Sequence, residues 1–180
     1  MNLIDIPNFI NKYITKRDKS LFDDDIQANK NILSKKISGK SVLVIGGAGT
    51  IGASYIKAVL EFKPAKLFVV DTNENGLTEL TRQLRSDAAI LVPDHFRTYP
   101  MNFGDPVFKK MFLNEGPFHI VANFAAHKHV RSEKDKYSIE AMLDNNVFKA
   151  KAFLELLMTQ KPEHFFCVST DKAANPVNVM

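Results

Sequence analysis

A hydroxyl, a carboxylate and an ammonium group follow one another near the end of the chain, at Thr170, Asp171 and Lys172. They come directly after a short apolar run that predicts a β-strand, so they lie at its carboxyl end. The triplet is suited to proton transfer: Thr170 can bind a substrate hydroxyl, Asp171 can act as an acid if its pKa is raised, and Lys172 as a base if burial lowers its pKa. A surface turn with Thr170 as a cap is the structural alternative.

A second group of candidate residues follows another predicted strand, in residues 124–129 (FAAHKH). The small residues Ala125 and Ala126 would let the backbone approach a flat cofactor. His127, Lys128 and His129 put potential positive charge at the mouth of a cleft, where they could bind the diphosphate of a substrate. Solvent-exposed charge without a function is the alternative. No metal site is predicted, because a third ligand is missing nearby in the sequence.

Three glycines at intervals of three residues, Gly46, Gly49 and Gly52, follow a short apolar run and precede a helical pattern. This spacing is typical of dinucleotide binding: the first glycine permits a tight turn, the second lets a pyrophosphate approach, and the third lets helix pack on strand. The phosphates would lie on the free N–H groups and the positive dipole end of the helix. A glycine-rich turn without a ligand is the alternative.

A carboxylate occupies the position where the ribose of such a dinucleotide is expected. Asp71 ends the next apolar run and could accept hydrogen bonds from the hydroxyls of the adenosine ribose. Its charge would repel a phosphate on the same ribose, and no arginine follows immediately. NAD is therefore favoured over NADP as the cofactor. Capping the next helix is an alternative role for Asp71, and the two roles can coexist.

The elements that position these residues alternate between strand and helix from Ser41 onwards, which predicts an α/β fold with a doubly wound parallel sheet. The predicted strands cover 42–45, 66–70, 95–102, 118–124 and 164–168, and the predicted helices cover 50–62, 74–85, 106–113 and 137–159. Right-handed crossovers give the strand order 3-2-1-4-5, with ligands at the carboxyl ends. Asp105 is placed to cap the helix at 106.

Residues 1–40 form a predicted helical extension that precedes a dinucleotide-binding domain of residues 41–180. The predicted helices cover 6–14 and 22–36, and the residues predicted to face inward are Ile26, Ile32 and Leu33. A packing arm or an oligomer contact is the favoured role of the extension. A membrane-surface anchor is disfavoured, because acidic residues lie among the basic ones.

The chain is mildly basic, with a formal net charge of +4, and its cationic residues are spread along the sequence. A nucleic-acid partner is therefore not predicted. No apolar stretch approaches the about 18 residues of a membrane-spanning helix, and the N-terminus does not resemble a signal peptide. Cys167, the single cysteine, fits a reducing compartment and is expected to be buried in its apolar run. A cytoplasmic location follows as an expectation.

Four stretches carry a family resemblance: 46–52 (GGAGTIG), 125–130 (AAHKHV), 145–147 (NNV) and 169–176 (STDKAANP). They are similar to the extended short-chain dehydrogenase/reductase superfamily, and within it to the CapD-like nucleotide-sugar 4,6-dehydratases of polysaccharide biosynthesis. The last two stretches are far more specific than the glycine motif. The resemblance implies a Rossmann-like fold, an NAD or NADP cofactor and a UDP-sugar substrate, usually UDP-N-acetylglucosamine.

The resemblance also implies roles for single residues. Lys172 would remove the C5 proton of the sugar, Asp171 would protonate the departing C6 hydroxyl, and Thr170 would position the C4 hydroxyl. The residues implied to bind the cofactor are Gly46, Gly49, Thr50, Ile51, Gly52, Asp71, Asn102, Phe103, Phe124, Ala125, Ala126, Asn146 and Ser169.

The chain departs from the superfamily at two residues and at its end. Met180 occupies the position of the usual catalytic tyrosine, and a thioether cannot be a general base, although some members of the dehydratase group are similar in this respect. Asn102 stands where an aspartate near the adenine is more usual. The chain stops before the expected C-terminal substrate lobe, so we expect a truncated protein that is inactive, or nearly so, alone.

Two other functions remain open at this point. A nucleotide-sugar 4-epimerase would use the same scaffold but needs no base at C5, so it would depend less on Lys172. A non-catalytic dinucleotide-binding or assembly module is the alternative from a different class, and Met180 makes it plausible. A homo-oligomer is expected.

Overall fold

The computed structural model describes residues 5–127, 135–169 and 174, and the chain divides into two units, Met1–Lys36 and Ile37–Met180. In the first unit, α1 (Ile6–Phe9) continues into a π-helical turn (Ile10–Thr15) and is followed by α2 (Asp23–Ile37). Three aspartates occupy the first turn of α2, where the helix dipole favours negative charge.

One prediction for α2 is wrong. Ile32 was expected to face inward but is 59% exposed, whereas Ile26 and Leu33 are half-buried and Ile37 is buried. Ile26, Leu33 and Ile37 follow one another at spacings of seven and four residues, which places them on one helix face. Ile32 lies about 100° away from Leu33 around the helix axis and therefore points away from that face.

The second unit contains a five-stranded parallel sheet in the order β3-β2-β1-β4-β5, as predicted. The strands are β1 (Ser41–Ile45), β2 (Lys66–Asp71), β3 (His95–Pro100), β4 (Ile120–Asn123) and β5 (His164–Cys167). The helices are α3 (Thr50–Leu60), α4 (Glu74–Ser86), α5 (Pro106–Glu115), α6 (Lys136–Leu143) and α7 (Ala150–Leu157). Ile45 pairs with Val70 on one side and Asn123 on the other, so the central strands end level with one another.

The core explains why β1 is an uninterrupted apolar run. All five of its residues are buried, as expected of a central parallel strand covered on both faces. Leu43 and Ile45 point to one face and join a core cluster with residues of α5 and α7, while α3 packs on β1 and α4 packs on β2 and β3. The phenylalanines of the cluster are Phe68, Phe103, Phe108, Phe112, Phe118 and Phe153.

Three local predictions differ from the structure. The predicted helix over 137–159 contains a π-helical turn, Asp144–Lys149, between α6 and α7. Asp105 occupies the N-cap position of α5 without capping it, because its Oδ2 accepts a hydrogen bond from the Asn102 N–H at 3.0 Å. Cys167 is exposed rather than buried, because β5 is an edge strand among the described residues and none of its side chains is buried.

No helix in the described ranges is both long enough and apolar enough to cross a membrane.

Candidate cofactor and active site

The chain turns sharply where β1 ends. Gly46 has a φ of +76°, a conformation that side chains disfavour. A Cβ at this position would lie 2.6 Å from the main-chain nitrogen of Ala125 and 2.8 Å from the carbonyl carbon of Phe124. Glycine at 46 therefore permits both the turn and the close approach of the loop that follows β4. A Cβ at Gly52 would overlap the carbonyl oxygen of Gly46, so glycine there lets α3 pack against the turn.

The first turn of α3 can hold an anion. Gly49 is the N-cap residue, and no side chain caps the helix there. A Cβ at Gly49 would meet only the Gly46 carbonyl oxygen, at 3.5 Å, so the approach to this helix end is open. Free N–H groups and the helix dipole both favour a phosphate at such a helix N-terminus.

The carboxylate of Asp71 is held by main-chain donors at both oxygens. Its Oδ2 accepts a hydrogen bond from the Ala48 N–H at 2.9 Å, and its Oδ1 accepts one from the Asn73 N–H at 2.9 Å. Each oxygen retains a lone pair for a further donor, such as a ribose hydroxyl. The cap of α4 is Asn73, whose Oδ1 accepts from the Gly76 N–H, so the alternative role of Asp71 as the cap is wrong.

Two clefts open at the carboxyl edge of the sheet. One, of about 300 Å³, is lined by Gly46, Gly49, Asp71 and Asn102 among others. The other, of about 470 Å³, is lined by Ile51, Asn146 and Ser169 among others. Both are lined by Phe103, Phe124, Ala125, Ala126, His127 and Asn145. These shared residues make the two clefts the halves of one continuous site.

Eleven of the thirteen predicted cofactor residues thus line this site. The other two, Thr50 and Gly52, belong to the first turn of α3. The predicted substrate and catalytic residues lie outside the described residues: Lys128, His129, Thr170, Asp171, Lys172 and Met180.

A chain of side-chain amides connects the walls of the site. Asn102 Nδ2 donates a hydrogen bond to Asn145 Oδ1 at 3.1 Å, and Asn145 Nδ2 donates to Asn146 Oδ1 at 3.1 Å. Asn146 in turn bonds the main chain of His127. Sequence reasoning missed Asn145 as a site residue. The available signal was the resemblance of the stretch 145–147 to the family, and Asn145 is only 3% exposed.

A further asparagine missed by the sequence analysis shapes the loop after β4. Asn123 is buried, and its Oδ1 accepts a hydrogen bond from the Ala125 N–H at 3.0 Å. The Phe124 N–H donates to the Ile45 carbonyl oxygen at 2.8 Å. The loop between the two halves of the site is thereby fixed to the ends of β1 and β4.

Tyr55, on α3, places a phenol side chain close to the site. Its ring centroid lies 5.3 Å from that of Phe124 and 5.2 Å from that of Phe166. Burial raises the pKa of Tyr55 to about 12, which keeps its phenol protonated at neutral pH. Tyr55 is therefore a poor general base at neutral pH. Within the described ranges, no cluster of three or more His, Cys, Asp or Glu residues could hold a metal ion.

Comparison with known proteins places this geometry in a family. Residues 42–180 match the family model described as polysaccharide biosynthesis protein. An uncharacterised protein of Methanocaldococcus jannaschii, named as a membrane protein, is 34% identical over 148 residues, which are 82% of this chain and 41% of that protein. An inverting UDP-N-acetylglucosamine 4,6-dehydratase of Campylobacter jejuni is 27% identical over 143 residues, 79% of this chain and 40% of the enzyme.

Among solved structures, Pen from Bacillus thuringiensis is similar, with a TM-score of 0.67 and 26% identity over 79% of this chain and 41% of that one. The chain thus spans about two fifths of the length of these similar proteins. The match over residues 42–180 confirms the resemblance inferred from the sequence motifs, and the chain belongs to the polysaccharide biosynthesis protein family.

Proposed function

We propose that this chain is the cofactor-binding part of a nucleotide-sugar 4,6-dehydratase that converts UDP-N-acetylglucosamine into a 4-keto-6-deoxy sugar. The observation that carries the proposal is the continuous site at the carboxyl edge of the sheet. Asp71 lies at one end, and Ser169, which directly precedes the run Thr170–Lys172, lies at the other. The dehydratase among the similar proteins supports this choice of reaction and substrate.

The residues at the edge of the sheet fit a nicotinamide dinucleotide. The glycine turn and the first turn of α3 suit a pyrophosphate, and the Asp71 carboxylate suits a ribose with two free hydroxyls. This argument favours NAD, because a 2′-phosphate would meet the negative charge of Asp71. When held by the glycine turn, the first turn of α3 and Asp71, the dinucleotide would supply hydride transfer, from C4 of the sugar and back to C6.

The chain's own residues supply the proton transfers. A carbonyl at C4 acidifies the C5 proton, which Lys172 accepts. Asp171 donates a proton to the C6 hydroxyl, which leaves as water, and Thr170 binds the oxygen at C4. Lys172 gives up the proton that it accepted, and a proton returns to C5 as C6 receives the hydride. C4 is thereby oxidised and C6 is reduced, so the net change is the loss of one water. Met180 cannot accept the proton of the C4 hydroxyl. That proton passes instead to Asp171 or to a bound water.

The test uses the full-length protein that contains this chain, UDP-N-acetylglucosamine and mass spectrometry of the product. We expect a product that has lost one water. Lys172→Ala should abolish this loss, whereas the matched control Lys151→Ala, an exposed lysine on α7, should retain it. An epimerised product of unchanged mass, formed also by Lys172→Ala, would contradict the dehydratase assignment. A protein that binds NAD but never turns over the sugar would support the non-catalytic module instead.

A further inference from the structure

Three side-chain amides form a continuous chain of hydrogen bonds along the site. The Gly104 N–H donates to Asn102 Oδ1 at 2.8 Å, and Asn102 Nδ2 donates to Asn145 Oδ1 at 3.1 Å. Asn145 Nδ2 donates to Asn146 Oδ1 at 3.1 Å, and Asn146 Nδ2 donates to the His127 carbonyl oxygen at 2.8 Å. All four bonds run in one direction, from a main-chain donor after β3 to a main-chain acceptor after β4.

The main chain at His127 fixes the orientation of the amides in this chain. His127 donates its N–H to Asn146 Oδ1 and accepts from Asn146 Nδ2, so the oxygen and nitrogen of that amide cannot exchange places. Asn146 therefore presents an oxygen to Asn145, which must supply a donor, and Asn145 in turn presents an oxygen to residue 102. Asparagine at 102 supplies the donor required there, whereas an ionised aspartate only accepts. This requirement gives a physical reason for the asparagine at a position where the superfamily more usually has an aspartate.

Asn145 is the middle member of the chain and the most deeply buried of the three, with only 3% of its surface exposed. It lines both clefts of the site, whereas Asn102 lines only the cleft with Asp71 and Asn146 only the cleft with Ser169. Asn145 and Asn146 both belong to the π-helical turn, and such turns frequently occur at functional sites. Loss of the Asn145 amide would thus remove one hydrogen-bond partner from a residue in each cleft.

We propose that Asn145 is a positioning residue for the cofactor: it holds Asn102 in one half of the dinucleotide site and Asn146 in the other. A dinucleotide that spans both clefts binds more tightly when both halves are held in place beforehand. The inference rests on the proposed function, because it takes a nicotinamide dinucleotide as the ligand. It deepens that function by assigning part of the NAD affinity to the direction of hydrogen bonds within the protein.

The test replaces Asn145 by aspartate, which has nearly the same shape. An ionised carboxylate at 145 would present an acceptor to Asn146 Oδ1, whereas a protonated carboxyl group donates one hydrogen bond and accepts another, as the amide does. Burial raises the pKa of such a carboxyl group, so its protonation falls within a range of about pH 5.5 to about pH 8. NAD is titrated by calorimetry over this range into the full-length protein that contains this chain, as wild type, Asn145→Asp and Asn145→Leu.

At about pH 8 we expect NAD to bind Asn145→Asp about tenfold more weakly than wild type, the equivalent of about one net hydrogen bond. At about pH 5.5 the difference should shrink to about threefold or less, because the protonated carboxyl group restores the chain. Asn145→Leu has a similar volume but no polar group, so it should bind NAD about tenfold more weakly at both pH values. The matched control is Asn114→Asp, the same change at an exposed position on α5, which should bind NAD like the wild type throughout.

A loss of NAD affinity by Asn145→Asp that is equal at both pH values would overturn the inference, because a general packing defect does not reverse on protonation. Wild-type NAD affinity in Asn145→Leu would overturn it as well, and this outcome decides the matter if Asn145→Asp does not fold at the higher pH. A wild-type protein that binds no NAD would overturn the proposed cofactor and this inference together. The expected pH dependence without any turnover of the sugar would overturn the proposed reaction and support the positioning role.

Discussion

The carboxylate of Asp71 is bonded to the glycine turn beside it, because its Oδ2 accepts a hydrogen bond from the Ala48 N–H at 2.9 Å. The end of β2 and the turn after β1 are thus joined before any ligand binds. The group that would bind the ribose also helps to hold the turn that would bind the pyrophosphate. Preorganisation of this kind reduces the entropic cost of binding the ligand.

Asp71→Asn should weaken NAD binding by about 10- to 100-fold, since hydrogen bonds to a charged acceptor contribute about 1.5–3 kcal/mol. The amide oxygen can accept from the Ala48 N–H or from the Asn73 N–H but not from both, because the amide nitrogen is a donor, so part of the loss reflects a turn that is held less firmly. NADP should lose less affinity than NAD, because the substitution removes a negative charge from the ribose site. Calorimetry with each dinucleotide measures both effects, and tighter binding of NADP than of NAD by the wild type would contradict the ribose argument.

Gly46→Ala should destabilise the protein by about 2–4 kcal/mol, because the new Cβ combines a positive φ with overlap at Ala125 and Phe124. Gly39→Ala is the matched control: Gly39 has a φ of +72° but no heavy atom within 4 Å of the added Cβ, so it should cost only about 1 kcal/mol. Urea unfolding of the two variants separates strain from overlap. Equal losses would show that the loop after β4 moves away without cost.

Tyr55 should make stability depend on pH in the alkaline range. Burial raises its pKa from 10.0 to about 12, so the unfolded chain loses the phenolic proton first. Between these two values the folded state binds more protons, and stability therefore falls as pH rises. Tyr55→Phe should flatten the decline of Tm above pH 10, whereas Tyr137→Phe, an exposed control, should not. Parallel curves of Tm against pH for wild type and Tyr55→Phe would show that the pKa of Tyr55 is not raised in the folded state.

Glu163 should make the stability of the folded state depend on pH in the acidic range, where stability falls as pH decreases. A hydrogen bond from Lys40 at 2.7 Å, followed by the nearby charges of Lys40, His119 and His164, holds the pKa of Glu163 below its usual value. The ionised Glu163 carboxylate stabilises the folded state above about pH 4.3, the pKa of a glutamate in the unfolded chain. This stabilisation is lost as pH falls through the lower pKa of Glu163 in the folded state. Thermal melts of Glu163→Gln should therefore depend less on pH below about 5 than those of the wild type. The control Glu155→Gln should melt like the wild type.

The strand order could be predicted from the sequence, because buried parallel strands have a strong apolar signal and right-handed crossovers leave few topologies. The glycine turn and Asp71 were also predictable, since their roles depend on local spacing along the chain. The contact between Asn102 and Asn145 was not, because it joins residues 43 positions apart and no pattern in one sequence pairs two asparagines. Cys167 was misjudged because an apolar run does not reveal whether its strand is central or at an edge.

The two outer strands of the sheet differ in how well they resist pairing with another chain. β3 carries the charge of Arg97 and ends in Pro100, which has no N–H to donate. β5 offers exposed apolar groups instead: Phe166 is 37% exposed, and Cys167 is exposed beside it. Within the described part of the chain, β5 is therefore the outer strand more open to pairing with a further strand, and the Cys167 thiol beside it is accessible to oxidation.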